Sequence, residues 1–178
     1  MSLIPTLTET LSRARADLRI GLPVVIGGWL AAAVETVSSD RIAAMRALGP
    51  AILAVTSWRA ETLKARVYDD DIARIEVPDG TDPAWLRAVA DPVGDLMTPM
   101  KGPLRSARGG DAQPHRAAIA LAKSAQLLPA VLMVPISDAP AGLTHLTAGP
   151  ALAQLATEAA LAPVAAARLP LLSAENSK

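Results

Sequence analysis

The chain contains no cysteine and no phenylalanine, and aromatic residues make up only 2% of its 178 positions. Without cysteine there is no disulfide, no thiolate zinc site and no cysteine nucleophile within it, a pattern that fits the cytosol. A core without Phe is built from small aliphatic side chains, and Ala, Leu and Val dominate the 51% hydrophobic fraction. Charge of neither sign prevails: Lys+Arg 17 stand against Asp+Glu 17. A chain of zero net charge has no whole-molecule field to draw in nucleic acid or an anionic membrane. The N-terminus has no basic flank followed by an apolar core, so no signal peptide is expected. The apolar run 22–34 is too short and too Gly-interrupted to span a bilayer. No GxxxxGK[ST] loop, dinucleotide fingerprint or GxSxG context occurs, and no aromatic interleaves with basic residues for base stacking.

What is present is an alternation of helical and strand patterns. Thr6 with Glu9 three residues on forms a capping box for a first helix to about Arg19, with Leu7, Leu11, Ala14 and Leu18 on one face. Gly21 suits its C-terminal cap. Val24 to Ile26 reads as a short buried strand, Gly27-Gly28 as a turn, and Leu30 to Val34 as strand or helix. The Ser38, Ser39, Asp40 cluster caps a helix with the stripe Ile42, Met45, Leu48. Ala51 to Thr56 is a further strand, and Ser57 caps a helix to Ala65 with Trp58 and Leu63 as anchors. Ile72 to Val77 is a strand whose Ala73, Ile75 and Val77 form the buried face. Thr81 or Asp82 caps the helix that Pro83 opens. Residues 91–114 are punctuated by Pro and Gly, with Leu104 to Ala107 as a possible strand. Pro114 or His115 opens a helix to about Leu127, whose inner face carries Ala118, Leu121, Ala122, Ala125 and Leu128. Pro129 ends it, and AVLMVPI follows as a strand. A last Ala-rich helix begins at Ala151. The pattern predicts an α/β fold: a three-layer α/β/α domain around a mixed sheet, covering 1–165, with 166–178 as a linker.

Four groups of residues carry candidate chemistry. Asp69, Asp70 and Asp71 offer carboxylate oxygens of the kind Mg²⁺ prefers, although nothing adjacent completes an octahedral set. The other reading is a solvated turn before a strand. His115 sits at a helix entrance, where it can serve as general base or metal ligand or be a core histidine. His145 has no flanking partner. Lys101, Arg105 and Arg108 with Gly102, Gly109 and Gly110 make a basic, Gly-rich loop that can hold a phosphate or simply be solvated. Trp29, Trp58 and Trp85 read as core or interface anchors.

RADLRIGLPVVI, followed by LAAAVETVSSDRIAAMRALGPAILAVTSWRAETL, resembles the start of the 3,4-dihydroxy-2-butanone 4-phosphate synthases of riboflavin biosynthesis. Ala33, Glu35 or Thr36, Met45, Thr56, Arg59, Ala60 and Leu63 fall in that pattern. WLRAVADP, PLRSARGG and PHRAAIALAKSAQLLPAVLM resemble later segments of the same family, so the likeness runs over roughly residues 10–136. The family's acidic loop, which supplies carboxylates for Mg²⁺ and proton transfer, is here only Gly27-Gly28-Trp29. Its Gly-His-Thr-Glu motif becomes Pro114-His115-Arg116-Ala117, which keeps the histidine and loses the threonine and glutamate. The Arg-His segment that approaches substrate is replaced by Arg46 to Pro50, and a phosphate-binding arginine before His115 is missing. Losing several members of one catalytic unit removes activity.

ALAKSAQLLPAVLMVPI resembles more closely the degenerate synthase-like N-terminal half of alphaproteobacterial-type GTP cyclohydrolase II. That resemblance implies a catalytically inactive domain with a structural, dimerising or regulatory role, and His115 as a vestige. It implies a zinc-dependent cyclohydrolase domain after this chain, with its zinc held there and no metal or cofactor here. It also implies a cytoplasmic homodimer with no nucleic-acid or membrane partner. Two alternatives stay open. One is an active, Mg²⁺-dependent synthase acting on ribulose 5-phosphate. The other is a phosphate-ligand module built on Arg105, Arg108, Gly109 and Gly110.

Overall fold

The computed structural model describes residues 3–160. The expected domain end at 165 and the linker 166–178 lie outside them. Among the described residues six α-helices, six strands and one 3-10 turn (Pro92–Gly94) follow in the order α1 (Leu7–Arg19), β1 (Val24–Ile26), β2 (Trp29–Ala33), α2 (Ser39–Arg46), β3 (Ile52–Thr56), α3 (Ser57–Thr62), β4 (Ile72–Glu76), α4 (Pro83–Ala90), the 3-10 turn, α5 (Gln113–Ser124), β5 (Ala130–Pro135), β6 (His145–Leu146) and α6 (Ala148–Ala159). The strands form one sheet in the order β4-β3-β5-β2-β1-β6. Four pairings are antiparallel, and β1–β6 is parallel, so the sheet is mixed.

Strand period places alternate side chains on opposite faces. On one face Val24, Ile26, Ala54, Val131 and Met133 meet α1, α5 and α6. On the other, Leu30, Leu53, Val55, Leu132 and Val134 meet α2, α3 and α4. This is the three-layer α/β/α architecture around a mixed sheet, in which small aliphatic side chains fill both interlayer spaces. Because both sheet faces are covered, the strands read as near-continuous apolar runs rather than as clean alternation.

Local signals act as their chemistry dictates. Thr6 Oγ1 accepts from Glu9 N, and Glu9 Oε2 accepts from Thr6 N at 2.7 Å, a closed capping box. Gly21 at φ +74° ends α1, with its N–H donating to Leu18 O and that of Leu22 to Asp17 O, a Schellman motif. The segment left open as strand or helix is β2, fixed by pairing on both sides with β1 and β5.

Four expectations are corrected. Thr56 rather than Ser57 caps α3, accepting from Arg59 N. Trp58 is no core anchor; it is 82% exposed. Residues 104–107 form no full strand but a single bridge, Ser106 to Ile75, flanked by Glu76 N donating to Arg105 O and Ala107 N to Arg74 O. In β4 both faces are buried: Ala73 and Ile75 pack on one side as expected, while Ile72 and Arg74 are buried on the other. The second face is covered by α5 and the loop before it, a tertiary contact that strand period cannot announce.

The helix–sheet arrangement positions the site. α5 and α6 run side by side in the same direction. Gly149, at the start of α6, lies against Gln113, which opens α5. At the far end Arg15 of α1 joins Ser124 of α5 and Glu158 of α6. The first turn of α5 thus lies over the tip of the β1–β2 hairpin.

Candidate functional site

His115 occupies the first turn of α5, behind Gln113 and Pro114. No side chain caps this helix through its Ncap residue, Ala112; instead Asp111 Oδ1 accepts from Gln113 N at 2.8 Å. The His115 ring points inward and is fully buried, and neither Nδ1 nor Nε2 has a hydrogen-bond partner among the described residues. One neighbour is Trp29, whose ring meets the imidazole edge-on, 4.6 Å between centroids and 64° between planes. Burial pushes the imidazole pKa down to about 4, and the positive charge of Arg74 adds to the fall against opposing pulls from Asp69 and Asp111. At neutral pH the ring is uncharged, closed off from water and held by packing.

The hairpin tip explains the closure. Gly27 and Gly28 both have positive φ, +55° and +81°, which permits the two-residue turn that pairs Ile26 with Trp29. A Cβ on Gly27 would stand 3.3 Å from both Pro114 Cγ and Ala148 Cβ. The turn therefore packs directly on the starts of α5 and α6, and delivers Trp29 to His115. No carboxylate lies in this connection.

The aspartate run forms a clasp rather than a free turn. Asp69 accepts from Arg74 Nε at 2.7 Å and Nη2 at 3.1 Å, with both side chains largely buried. Arg74 Nη2 also donates to Gly109 O at 2.7 Å. Asp71 accepts from Arg116 Nε at 2.8 Å, and Arg116 Nη2 donates to Asp69 O. Asp70 is the turn residue, at φ +61°. Two of the three carboxylates are thus committed to arginines. Among the described residues no group of three or more His, Asp or Glu gathers as a metal site. A buried imidazole and arginine-bound carboxylates do not suit Mg²⁺, which takes several oxygen ligands in near-octahedral geometry.

The basic loop is divided. Arg105 is exposed and pairs with Glu76 at 3.4 Å, at one end of β4. Arg108 stacks over the Tyr68 ring at 4.5 Å, at the other end. Gly109 and Gly110 follow it with φ of +70° and +73°. The structure brings Arg108, Gly109 and Gly110 to the Tyr68–Asp71 loop and leaves Arg105 apart from them. Lys101 is buried and paired with Asp95, away from the rest. His145 is exposed on β6, in register with Val25.

Arg74 is the residue that sequence reading missed. In the alternation of β4 it falls on the apparent solvent side, and its pairing with Asp69, five residues earlier, depends on the tight turn between them. The signal available was the pairing of an aspartate run with an arginine just inside the next strand.

The fold is similar to that of 3,4-dihydroxy-2-butanone 4-phosphate synthase of Candida albicans in its crystal structure, with a TM-score of 0.57 and 14% identity over 85% of this chain and 97% of that one. No protein-family model matches the chain. No curated protein matches it either. The chain has a dihydroxybutanone-phosphate-synthase-like fold.

Proposed function

We propose that this chain is a catalytically inactive, synthase-like N-terminal domain of a GTP cyclohydrolase II-type protein of riboflavin biosynthesis. Its role is structural: it dimerises, positions a partner domain or regulates it. One observation carries the reading. His115, the residue that matches the family's metal-ligand histidine, is fully buried under Trp29 in the connection where the family has its acidic loop. A ring with no open side reaches neither metal nor substrate.

We place the protein in the cytoplasm as a homodimer, without nucleic-acid or membrane partners. Zero net charge supports the expectation of no nucleic-acid or anionic-membrane partner, and no helix among the described residues is long and apolar enough to cross a membrane. On this reading zinc is held in the cyclohydrolase domain, whose ligands in that family are cysteines, and this chain has none.

Formate release from ribulose 5-phosphate by the purified domain with Mg²⁺ tests the catalytic half of the proposal. No release above the blank is expected. Release would restore the alternative, an active synthase. The reading frame beyond Lys178 tests the other half: a cyclohydrolase sequence with cysteine ligands is expected, and its absence from the full gene overturns the assignment.

A second reading, a phosphate-ligand module, draws on Arg108 with Gly109 and Gly110, now without Arg105. Thermal shift with sugar phosphates and GTP tests it. Ligand at about 100 times Kd adds about 2.7 kcal/mol of stability; no shift at high ligand ends the reading.

A further inference from the structure

A groove of about 670 Å³ runs between α5, α6 and the start of β4. Its floor is apolar: Ile72 from β4, Ile119 from α5, Leu152 and Leu155 from α6. An ion pair stands at each end. Arg116 meets Asp71 at 2.8 Å near the first turns of α5, and Arg15 meets Glu158 where α5 and α6 finish. Ser124 is engaged as well, accepting from Arg15 Nε at 2.9 Å. Of the five charged residues that line the groove, these pairs take four and leave only Lys123, which is exposed at the rim. Small-molecule sites combine apolar walls with a few convergent polar groups that are free to orient the ligand. Here the polar groups already satisfy one another, so the groove suits an apolar occupant that brings little charge.

The chain itself supplies one. Glu158 and Ala159, in the last turn of α6, line the groove. Ala160 has left the helix, with φ −68° and ψ 110°. The residues that follow lie outside the described ones, and their sequence begins LAPVAAARLPLL, over 161–172, with Arg168 as its one charge. Pro163 keeps α6 from running on, since it has no N–H for the helix ladder and disfavours helical backbone at Ala162. Leu161, Val164, Leu169, Leu171 and Leu172 thus follow directly on an open apolar floor, and burying them there removes both surfaces from water. Reach is ample. From Lys123 back to Arg116 the groove follows seven residues of α5 (123 − 116), about 10 Å of helix. Residues 161–172 extend to about 40 Å, which covers that length with room to reverse direction. Connection to the groove's own wall also gives the segment an effective concentration in the millimolar range, an advantage no separate partner has.

We propose that segment 161–172 folds back from the end of α6 and docks in the groove between α5, α6 and β4. It runs antiparallel to α6, from the Arg15–Glu158 end toward the Arg116–Asp71 end. Under the scaffold reading the docked segment also fixes where a following domain begins; the docking itself does not depend on that reading.

Two features of the sequence make the test direct. Arg168 is the only Lys or Arg between Lys123 and Lys178, and there is no cysteine. Brief trypsin treatment of the full chain, followed by mass spectrometry, reads the loss of residues 169–178. Cleavage after Arg168 is expected to be at least about tenfold slower than in a synthetic peptide of residues 161–178, because a docked site is cut only when it opens. Ala156→Trp, at an exposed position that lines the groove, should fill it and abolish the protection. Cleavage of the wild type as fast as the free peptide overturns the proposal. The second measurement holds even if Ala156→Trp fails to fold. Leu169→Cys is paired with Ala120→Cys inside the groove, or with Ala16→Cys, exposed on α1 near the same end of α6 but outside the groove, and each pair is treated with a short bismaleimide. A link within one copy is expected for the first pair only. Equal linking of both pairs, or links only between two copies, overturns the proposal. Formate release and the reading frame beyond Lys178 judge the scaffold reading without reference to this groove.

Discussion

Trp29 stands edge-on to His115, 4.6 Å between ring centroids, and this contact joins the tip of one hairpin to the first turn of one helix. On the proposed reading, both residues match segments where the synthase family concentrates its chemistry. The hairpin turn consists of Gly27-Gly28 alone, and the next residue, Trp29, packs on the histidine. The imidazole is a packing element whose two nitrogens make no hydrogen bond to the described residues.

That burial predicts a pH dependence of stability. The folded-state pKa of His115 is depressed to about 4 from the ordinary 6.5, so the unfolded chain takes up a proton more readily than the folded one. The contribution is fully present above about pH 6.5 and is lost as pH falls toward 4. Over that window stability should fall by about 3 kcal/mol from this residue. Urea unfolding at pH 7 and pH 4.5, wild type against His115→Leu, isolates it: the variant should lose distinctly less. Equal losses in the two proteins would refute a buried neutral imidazole.

His115→Leu should itself be well tolerated at pH 7. An unpaired polar group replaced by an apolar one of similar size is near neutral or stabilising. The melting temperature is expected to stay level or rise, with an unchanged circular-dichroism spectrum. A loss above about 2 kcal/mol would reveal a hydrogen bond that holds the ring.

Arg74→Met should behave oppositely. It strips the partner from the largely buried Asp69 and releases Gly109 O. Breaking a buried pair from one side costs about 3–5 kcal/mol. Asp69→Asn placed on top of Arg74→Met should recover part of the loss, because the stranded charge has gone. Hydrogen exchange should also show earlier opening of residues 107–111. An exchange pattern identical to wild type would mean that Arg74 does not hold the loop.

Two glycines separate conformational strain from collision. Gly21 and Gly28 both have positive φ, yet a Cβ on Gly21 would meet Thr36 O at 2.4 Å while one on Gly28 meets nothing within 4 Å. Gly28→Ala should cost about 1–2 kcal/mol, the left-handed penalty alone. Gly21→Ala should cost clearly more, since backbone must move. Equal losses in urea unfolding would place α1 and the Thr36 turn farther apart than they are here.

Much of the fold was legible because its cues are local. Thr6 with Glu9, Ser38 and Asp82 each cap the helix they precede through a hydrogen bond that spans three residues or fewer. Gly21 and the Gly27-Gly28 turn required only the φ their residue type allows. Alternating strands and helices gave the three layers, because an element with an apolar face must bury it. His115 was visible as a residue but not as a state: nothing within α5 says that Trp29, 86 positions earlier (115 − 29), will close over it.

The sequence by itself determined most helix caps, the positions of the main strands and the apolar faces of the helices, and that no cysteine chemistry occurs in the chain. Those properties depend on near neighbours and composition. Tertiary structure alone decided that β4 is buried on both faces, that the aspartates clasp Arg74 and Arg116, and that Arg105 stands apart from Arg108. It also decided that Trp58 faces water and His115 does not. Burial is set by what packs from elsewhere in the chain, and a side chain's chemistry follows from that burial.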